Sequence, residues 1–254
     1  HFAHGEKAVL QDLSLRIPAG STIALLGPSG SGKTTLVQIL LRMYDYDRGS
    51  VRLDGFELKD LDRKYVRRQF GVVMQEPFLY SKTLRDNVKL GRHWAEDAEM
   101  VEAATLADIH HTIQSFDKQY DTLVGERGVT LSGGQRQRTA IARAVLKDAP
   151  VLVLDDALSA VDTHTETTIL QQLRARSGRQ TVILIAHRLS TLMHADQIAV
   201  MEKGRIVQLG THDELVSQDG LYRRLWQIQS ALEEDLREEM GANGTSSPVG
   251  TEVA

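Results

Sequence analysis

Residues Gly27 to Thr34 read GPSGSGKT and run on into Thr35. They fit the pattern G-x-x-x-x-G-K-[ST], which narrows the possible folds more than any other stretch of the chain. The preceding run, Thr22-Ile23-Ala24-Leu25-Leu26, is short and apolar, as suits a buried strand. The following run, Leu36-Val37-Gln38-Ile39-Leu40-Leu41, suits a helix. Strand, glycine-rich loop and helix together are the setting in which this pattern wraps a phosphate. Gly27, Gly30 and Gly32 let the backbone curl so that N–H groups point inward at an anion, with Pro28, Ser29 and Ser31 completing the loop. The helix N-terminus adds a partial positive charge. Lys33 is expected to reach the β- and γ-phosphates of a nucleotide, and the Thr34 hydroxyl to ligate Mg²⁺. An ordinary glycine-rich turn that happens to hold a lysine would not need a strand before it and a helix after it.

Composition sets the outer limits. With 254 residues, 41% of them apolar, the chain can bury a sizeable core as one large or two small domains. Lys and Arg number 30 against 34 Asp and Glu, so no overall basic footprint for nucleic acid is present and no nucleic-acid partner is expected. Cysteine is absent, which rules out disulfides and thiolate metal sites. No apolar run approaches the roughly 20 residues needed to span a bilayer. The chain begins at His1 rather than Met, as expected of a piece of a longer polypeptide or a processed form.

Along the chain, residues 1–26 read as strands, including the alternating Leu13-Ser14-Leu15-Arg16-Ile17 before the turn at Pro18-Ala19-Gly20. Val51 to Gly55 and Phe70 to Met74 read as further strands. From about Thr83 to Ala149 the pattern turns helical, and an inserted helical subdomain is expected there. Strand patterns return at Val151 to Leu154, Thr181 to Ile185 and Gln197 to Met201, with helical periodicity between the first two. Strands alternating with helices predict an α/β fold with a mainly parallel sheet. Thr211-His212-Asp213-Glu214 predicts a capping box opening a short helix. The domain is expected to occupy residues 1–240, and the Gly-, Ser- and Thr-rich residues 241–254 to form a disordered tail.

Two further stretches carry chemistry. Val151 to Asp156 reads VLVLDD, a buried strand whose C-terminal end delivers carboxylates to the sheet edge where ligands of such sheets bind. Asp155 is expected to hold Mg²⁺, in part through water. Asp156 falls where a residue can orient or deprotonate an attacking water. Leu131 to Gln135 reads LSGGQ, with Ser132 and Gln135 spaced as a capping box. Gly133 and Gly134 bare first-turn N–H groups to a phosphate. A plain capped helix explains that spacing equally well.

LSGGQ upstream of VLVLDD, with GPSGSGKT before both, resembles the nucleotide-binding domain of ATP-binding cassette (ABC) proteins. Gln75, in VVMQEPFLYS, is similar to the family's Q-loop glutamine, which senses Mg²⁺ and contacts the membrane domains. Ser159-Ala160-Val161-Asp162 resembles the D-loop that crosses to the partner, and His187, in IAHRLS, the switch histidine that contacts the γ-phosphate. The resemblance covers about residues 2 to 230. It implies a P-loop NTPase core with an N-terminal antiparallel β subdomain, binding ATP and Mg²⁺ and hydrolysing ATP. It also implies head-to-tail pairing with a second such domain, so that Ser132, Gly133, Gly134 and Gln135 serve the partner's ATP. Thr122 to Gly128 (TLVGERG) is similar to the X-loop of exporters, and the ending GLYRRLWQIQ is also exporter-like. Transmembrane domains on the same polypeptide, and a place on the cytoplasmic face of a membrane such as the bacterial inner membrane, are implied in turn.

Two positions depart from the family. His4 stands where the family usually places a Tyr that stacks on adenine, and Asp156 stands where active members carry Glu. Asp is one methylene shorter, and a carboxylate drawn back by about 1 Å can lose on the order of a hundredfold in rate. The expectation is a heterodimeric exporter in which this chain's own site is degenerate and the partner carries Glu after its own Asp. Harmless Glu-to-Asp drift in a homodimer, a regulatory ATP-binding module and an importer ATPase are the competing readings. A non-transport ABC protein acting on ribosomes or DNA would show a tandem cassette or a coiled-coil insertion, and neither is present. His93, His110, His111, His164, His194 and His212 show no metal spacing and are read as solvated or capping, and Trp94 and Trp226 as packing residues. Glu233-Glu234-Asp235 reads as a solvated helix face.

Overall fold

A computed structural model describes residues 1–4, 7–125, 131–176, 178–186 and 188–243, without the side chains of His4, Lys7, Ser190 and residues 233–243. The chain opens with an antiparallel pair, β1 (Phe2–His4) and β2 (Lys7–Leu10). Next come β3 (Thr22–Leu26), α1 (Lys33–Leu40), the short antiparallel pair β4 (Arg52–Leu53) and β5 (Phe56–Glu57), α2 (Arg63–Arg68) and β6 (Phe70–Val73). Then follow α3 (Leu84–Lys89), α4 (Asp97–Leu106), α5 (His110–Gln114) and α6 (Gly133–Leu146). Strands and helices then alternate through β7 (Val151–Asp155), α7 (Thr163–Arg174), β8 (Thr181–Ile185), α8 (Leu189–Leu192) and β9 (Gln197–Glu202). The chain closes with β10 (Arg205–Gly210), α9 (His212–Ser217) and α10 (Leu221–Asn243).

The central sheet has six strands in the order β10-β9-β3-β8-β7-β6, all parallel except β10, which pairs antiparallel with β9. Because successive side chains of a strand point to opposite faces, each strand feeds two cores. Ala24, Leu26, Leu152, Leu154, Val182 and Leu184 join the core shared with α4, α6 and α7. Ile23, Leu25, Val151, Val153, Ile183 and Ile185 join a second core shared with α1. Burial on both faces is why these strands read as continuous apolar runs. The helical region α3–α6 is inserted between β6 and β7, as the sequence predicts.

Residues 13–17 differ from expectation. They alternate half-buried and exposed, and Leu13, Leu15 and Ile17 pack on the second core, yet they form no strand. Alternation reports which side faces the core; it does not supply a ladder partner. Trp94 is 80% exposed rather than packed, whereas Trp226 is half-buried on the first core against His212. The capping box at Thr211 and Glu214 is present. The helix α10 continues through Gly241 to Asn243, and the tail from residue 244 lies outside the described residues.

Candidate functional site

The phosphate loop lies at the C-terminal end of β3, where the sheet edge opens. Gly32 is the N-cap of α1 with φ +103°, a left-handed backbone that a side chain would strain. Lys33, the first residue of α1, is 7% exposed. Its Nζ donates to Gly27 O at 2.6 Å, Pro28 O at 3.1 Å and Ser31 Oγ at 3.4 Å. The loop is therefore closed around the ammonium. Burial holds the Lys33 pKa below its ordinary value, and the charges of Asp155 and Asp156 offset part of that shift. Thr35 follows on the same helix, and Ser29 and Gly30 are exposed at the loop tip.

Strand β7 brings the two carboxylates to this loop. Asp155, its last residue, is buried and accepts from Thr34 Oγ1 at 3.1 Å. Asp156 turns out of the strand with φ +51°, its N–H bonded to Ile185 O at 2.8 Å. Asp is one of the few non-glycine residues that adopt this backbone readily. The carboxylate of Asp156 accepts from Gln75 Nε2 at 3.3 Å. Thr34 with Asp155, and Gln75 with Asp156, thus meet at the end of β7 beside the phosphate loop. Among the described residues no cluster of three or more His, Cys, Asp or Glu could hold a metal. A hydroxyl and a carboxylate beside a phosphate-binding loop do fit Mg²⁺, a hard cation that completes its shell with substrate phosphates and water.

The LSGGQ residues stand elsewhere. Ser132 is the N-cap of α6 and accepts from Gln135 N at 3.2 Å, while Gln135 Oε1 accepts from Ser132 N at 3.0 Å. No hydrogen bond joins them to the phosphate loop among the described residues. Instead the start of α6 packs on the loop after β7, where a Cβ on Gly134 would lie 2.8 Å from Ala160 O. Gly134→Ala should therefore cost on the order of 1–3 kcal/mol of stability by forcing helix and loop apart. Thermal denaturation of the variant beside the native protein checks this; an unchanged midpoint would show that the loop simply shifts.

Sequence reasoning missed Gln137. It is 4% exposed, its Nε2 donates to Ser159 Oγ at 3.0 Å, and its Oε1 accepts from Ala160 N at 2.9 Å. The signal was available: Gln137 lies on the same helical face as the apolar Ala140, Ile141 and Ala144, so it is a polar residue on a buried stripe. His187 lies outside the described residues, as do Glu126, Arg127 and Gly128 of the X-loop-like stretch. The backbone of His4 pairs with Lys7 in the first hairpin; its side chain is not described.

A model of the family described as "ABC transporter" matches residues 10–159. The chain is 46% identical over 228 residues to an uncharacterized ABC transporter ATP-binding protein, y4gM, of Sinorhizobium fredii, covering 90% of this chain and 39% of that protein. It is 46% identical over 229 residues to YgaD, a putative multidrug export ATP-binding/permease protein of Bacillus subtilis, covering 90% of this chain and 40% of that protein. Among solved structures, a bacterial Atm1-family ABC exporter with ATP bound superposes with a TM-score of 0.87 at 41% identity, over 90% of this chain and 40% of that one. The chain thus spans about two fifths of the length of the relatives it matches. With the phosphate loop, paired carboxylates and capped LSGGQ helix in place, the chain belongs to the ABC transporter family, as an ATP-binding and ATP-hydrolysing nucleotide-binding domain.

Proposed function

We propose that this domain drives an exporter by ATP-dependent pairing with a second nucleotide-binding domain, and that its own site is the degenerate one of an asymmetric pair. The observation that carries the reading is Asp156. The carboxylate nearest the reaction is one methylene shorter than the family's Glu and is engaged by Gln75 at 3.3 Å. In this reading Gly27 to Thr35 bind the phosphates of ATP, and His4 lies against its adenine. Thr34, Asp155 and Gln75 hold Mg²⁺, which neutralises phosphate charge when bound. Asp156 faces the attacking water and His187 the γ-phosphate. The LSGGQ residues, self-contained and away from this chain's loop, close on the partner's ATP, and the partner carries Glu at the position of Asp156.

The similarity to ATP-binding/permease proteins, of which the chain spans two fifths, supports transmembrane domains on the same polypeptide. The domain then sits on the cytoplasmic face of a membrane, which is the bacterial inner membrane if the source is bacterial. Among the described residues no helix is long and apolar enough to cross a membrane. Residues 83–149 act as the helical subdomain of a domain that ends near residue 240.

The trans role of α6 has a direct test. Ser132→Arg places bulk and charge where the partner's nucleotide docks. It should weaken ATP-driven association several-fold and leave ATP binding to this chain nearly unchanged. Size-exclusion chromatography with ATP and Mg²⁺, beside a fluorescent-nucleotide titration, reads both. A variant that associates as tightly as the native protein removes the trans assignment.

A further inference from the structure

We propose that Glu166 and Arg188 are positioning residues, which fix the loop carrying Asp156 against the segment after His187 and so set the hydrolysis rate without touching nucleotide. The proposal rests on the functional reading above and extends it to two residues to which that reading gives no role. Glu166, on α7, is 3% exposed. Its Oε2 accepts from Arg188 Nη1 at 2.6 Å, and its Oε1 accepts from Thr191 Oγ1. One buried carboxylate therefore grips both ends of the segment 188–191. The guanidinium of Arg188 continues to the loop after β7, donating from Nη1 to Val161 O at 3.1 Å and from Nη2 to Ser159 O at 3.3 Å. Gln137 of α6 also holds this loop, at Ser159 and Ala160. The segment has a further tie at Leu189, whose N–H donates to Gln229 Oε1 of α10 at 2.9 Å.

Two physical points give this network a role beyond stability. Burying a carboxylate costs several kcal/mol even when it is paired, and an apolar residue of similar volume packs at least as well, so such a pair is a poor means of stabilisation. Also, the loop borders a cavity of about 120 Å³ whose lining includes Glu166, Arg188 and Thr191 of this network together with Asp156, Leu158 and Leu184. Packing beside the loop is incomplete, which leaves polar contacts from Arg188 and Gln137 to decide where it sits. Only a guanidinium, with its rigid fork of donors, can serve a carboxylate and two carbonyls together; an ammonium is a point charge that cannot span them.

The test uses the full-length transporter with the partner domain's own glutamate removed, so that this chain's site alone sets the turnover. Arg188→Lys keeps the charge opposite Glu166, and with 44% of the side chain exposed the fold should tolerate it. The expected result is kcat lowered about tenfold, with KM, the affinity for a non-hydrolysable ATP analogue and the thermal midpoint close to native. Glu166→Gln, which keeps the shape and removes the charge, should act in the same direction. Combining Arg188→Lys with Gln137→Ala should lower kcat by less than the product of the single effects, because both act on one loop. Native kcat in Arg188→Lys would overturn the proposal, as would a loss of kcat matched by equal losses of affinity and thermal stability. Lys33→Ala is run alongside. Turnover that survives it would overturn the functional reading, and this proposal with it, whereas native-like Arg188→Lys overturns the positioning role alone.

Discussion

Lys33→Ala should weaken ATP binding about a hundredfold and leave the fold intact. In the structure the ammonium is held inside the loop by two carbonyls and a serine hydroxyl, with its surface almost wholly buried. A cation so placed meets the anionic phosphates in a site where water screens little. Truncating one partner of such a charged pair costs about 2–5 kcal/mol, and a hundredfold in Kd is about 2.7 kcal/mol. The fold should survive for a separate reason. Lys33 begins α1, where alanine is an excellent helix residue, and the variant no longer buries a charge. The same burial fixes the sign of the pH response. Because the Lys33 pKa lies below the ordinary 10.5, the protonated form that binds phosphate is lost at a pH lower than for an exposed lysine. ATP affinity should therefore fall as pH rises through that lowered value. Fluorescent-nucleotide titration of both proteins, with thermal denaturation as the folding control, gives the outcome. Equal dissociation constants with both proteins folded would refute the phosphate-loop assignment.

Much of this site was legible because its parts are tied to sequence-local physics. A glycine-rich loop must follow a strand and start a helix, so Gly27 to Thr34 located both β3 and α1. An apolar run ending in acid located β7, because a strand buried on both faces must be apolar until it reaches the open edge. The capping boxes at Ser132 and Thr211 were readable for the same reason: donor and acceptor lie three residues apart. What was not legible depends on distant chain. Leu13 to Ile17 has the side-chain rhythm of a strand, but whether a strand forms is decided by a neighbour with free backbone groups. The antiparallel strand β10 escaped notice because Val207 and Leu209 remain exposed and a bulge between Ile206 and Gln208 breaks its register. Glu166 and Arg188 lie 22 positions apart, and nothing in either neighbourhood marks them as partners. Gln137 falls between these cases, since its place on an apolar stripe announces a buried polar group without saying what it holds.

Asp156→Glu should raise hydrolysis at this chain's own site by at least about tenfold, or roughly 1.4 kcal/mol of barrier. Asp155, Thr34 and the phosphate loop suffice to hold the nucleotide, and none of them changes in the variant. Attack on the γ-phosphate also needs a carboxylate within hydrogen-bonding reach of the water, and a missing methylene withdraws it. The gain should therefore appear in kcat with little change in KM. The backbone adds an independent signature. At φ +51°, Glu is less comfortable than Asp by up to roughly 1 kcal/mol, so the variant should be slightly less stable while being faster. A general improvement in folding or yield cannot mimic that pairing of effects. The alternative, a homodimer in which Asp suits the left-handed turn and still serves as base, predicts the reverse: no gain in rate. The decisive measurement is single-turnover ATP hydrolysis by the native and Asp156→Glu forms, with the partner domain's own glutamate removed so that only this site reports. Slow turnover in the native form, raised about tenfold or more by Asp156→Glu at unchanged ATP affinity, is the predicted result; native turnover already equal to that of the variant would make Asp156 a working base and contradict the asymmetric pairing.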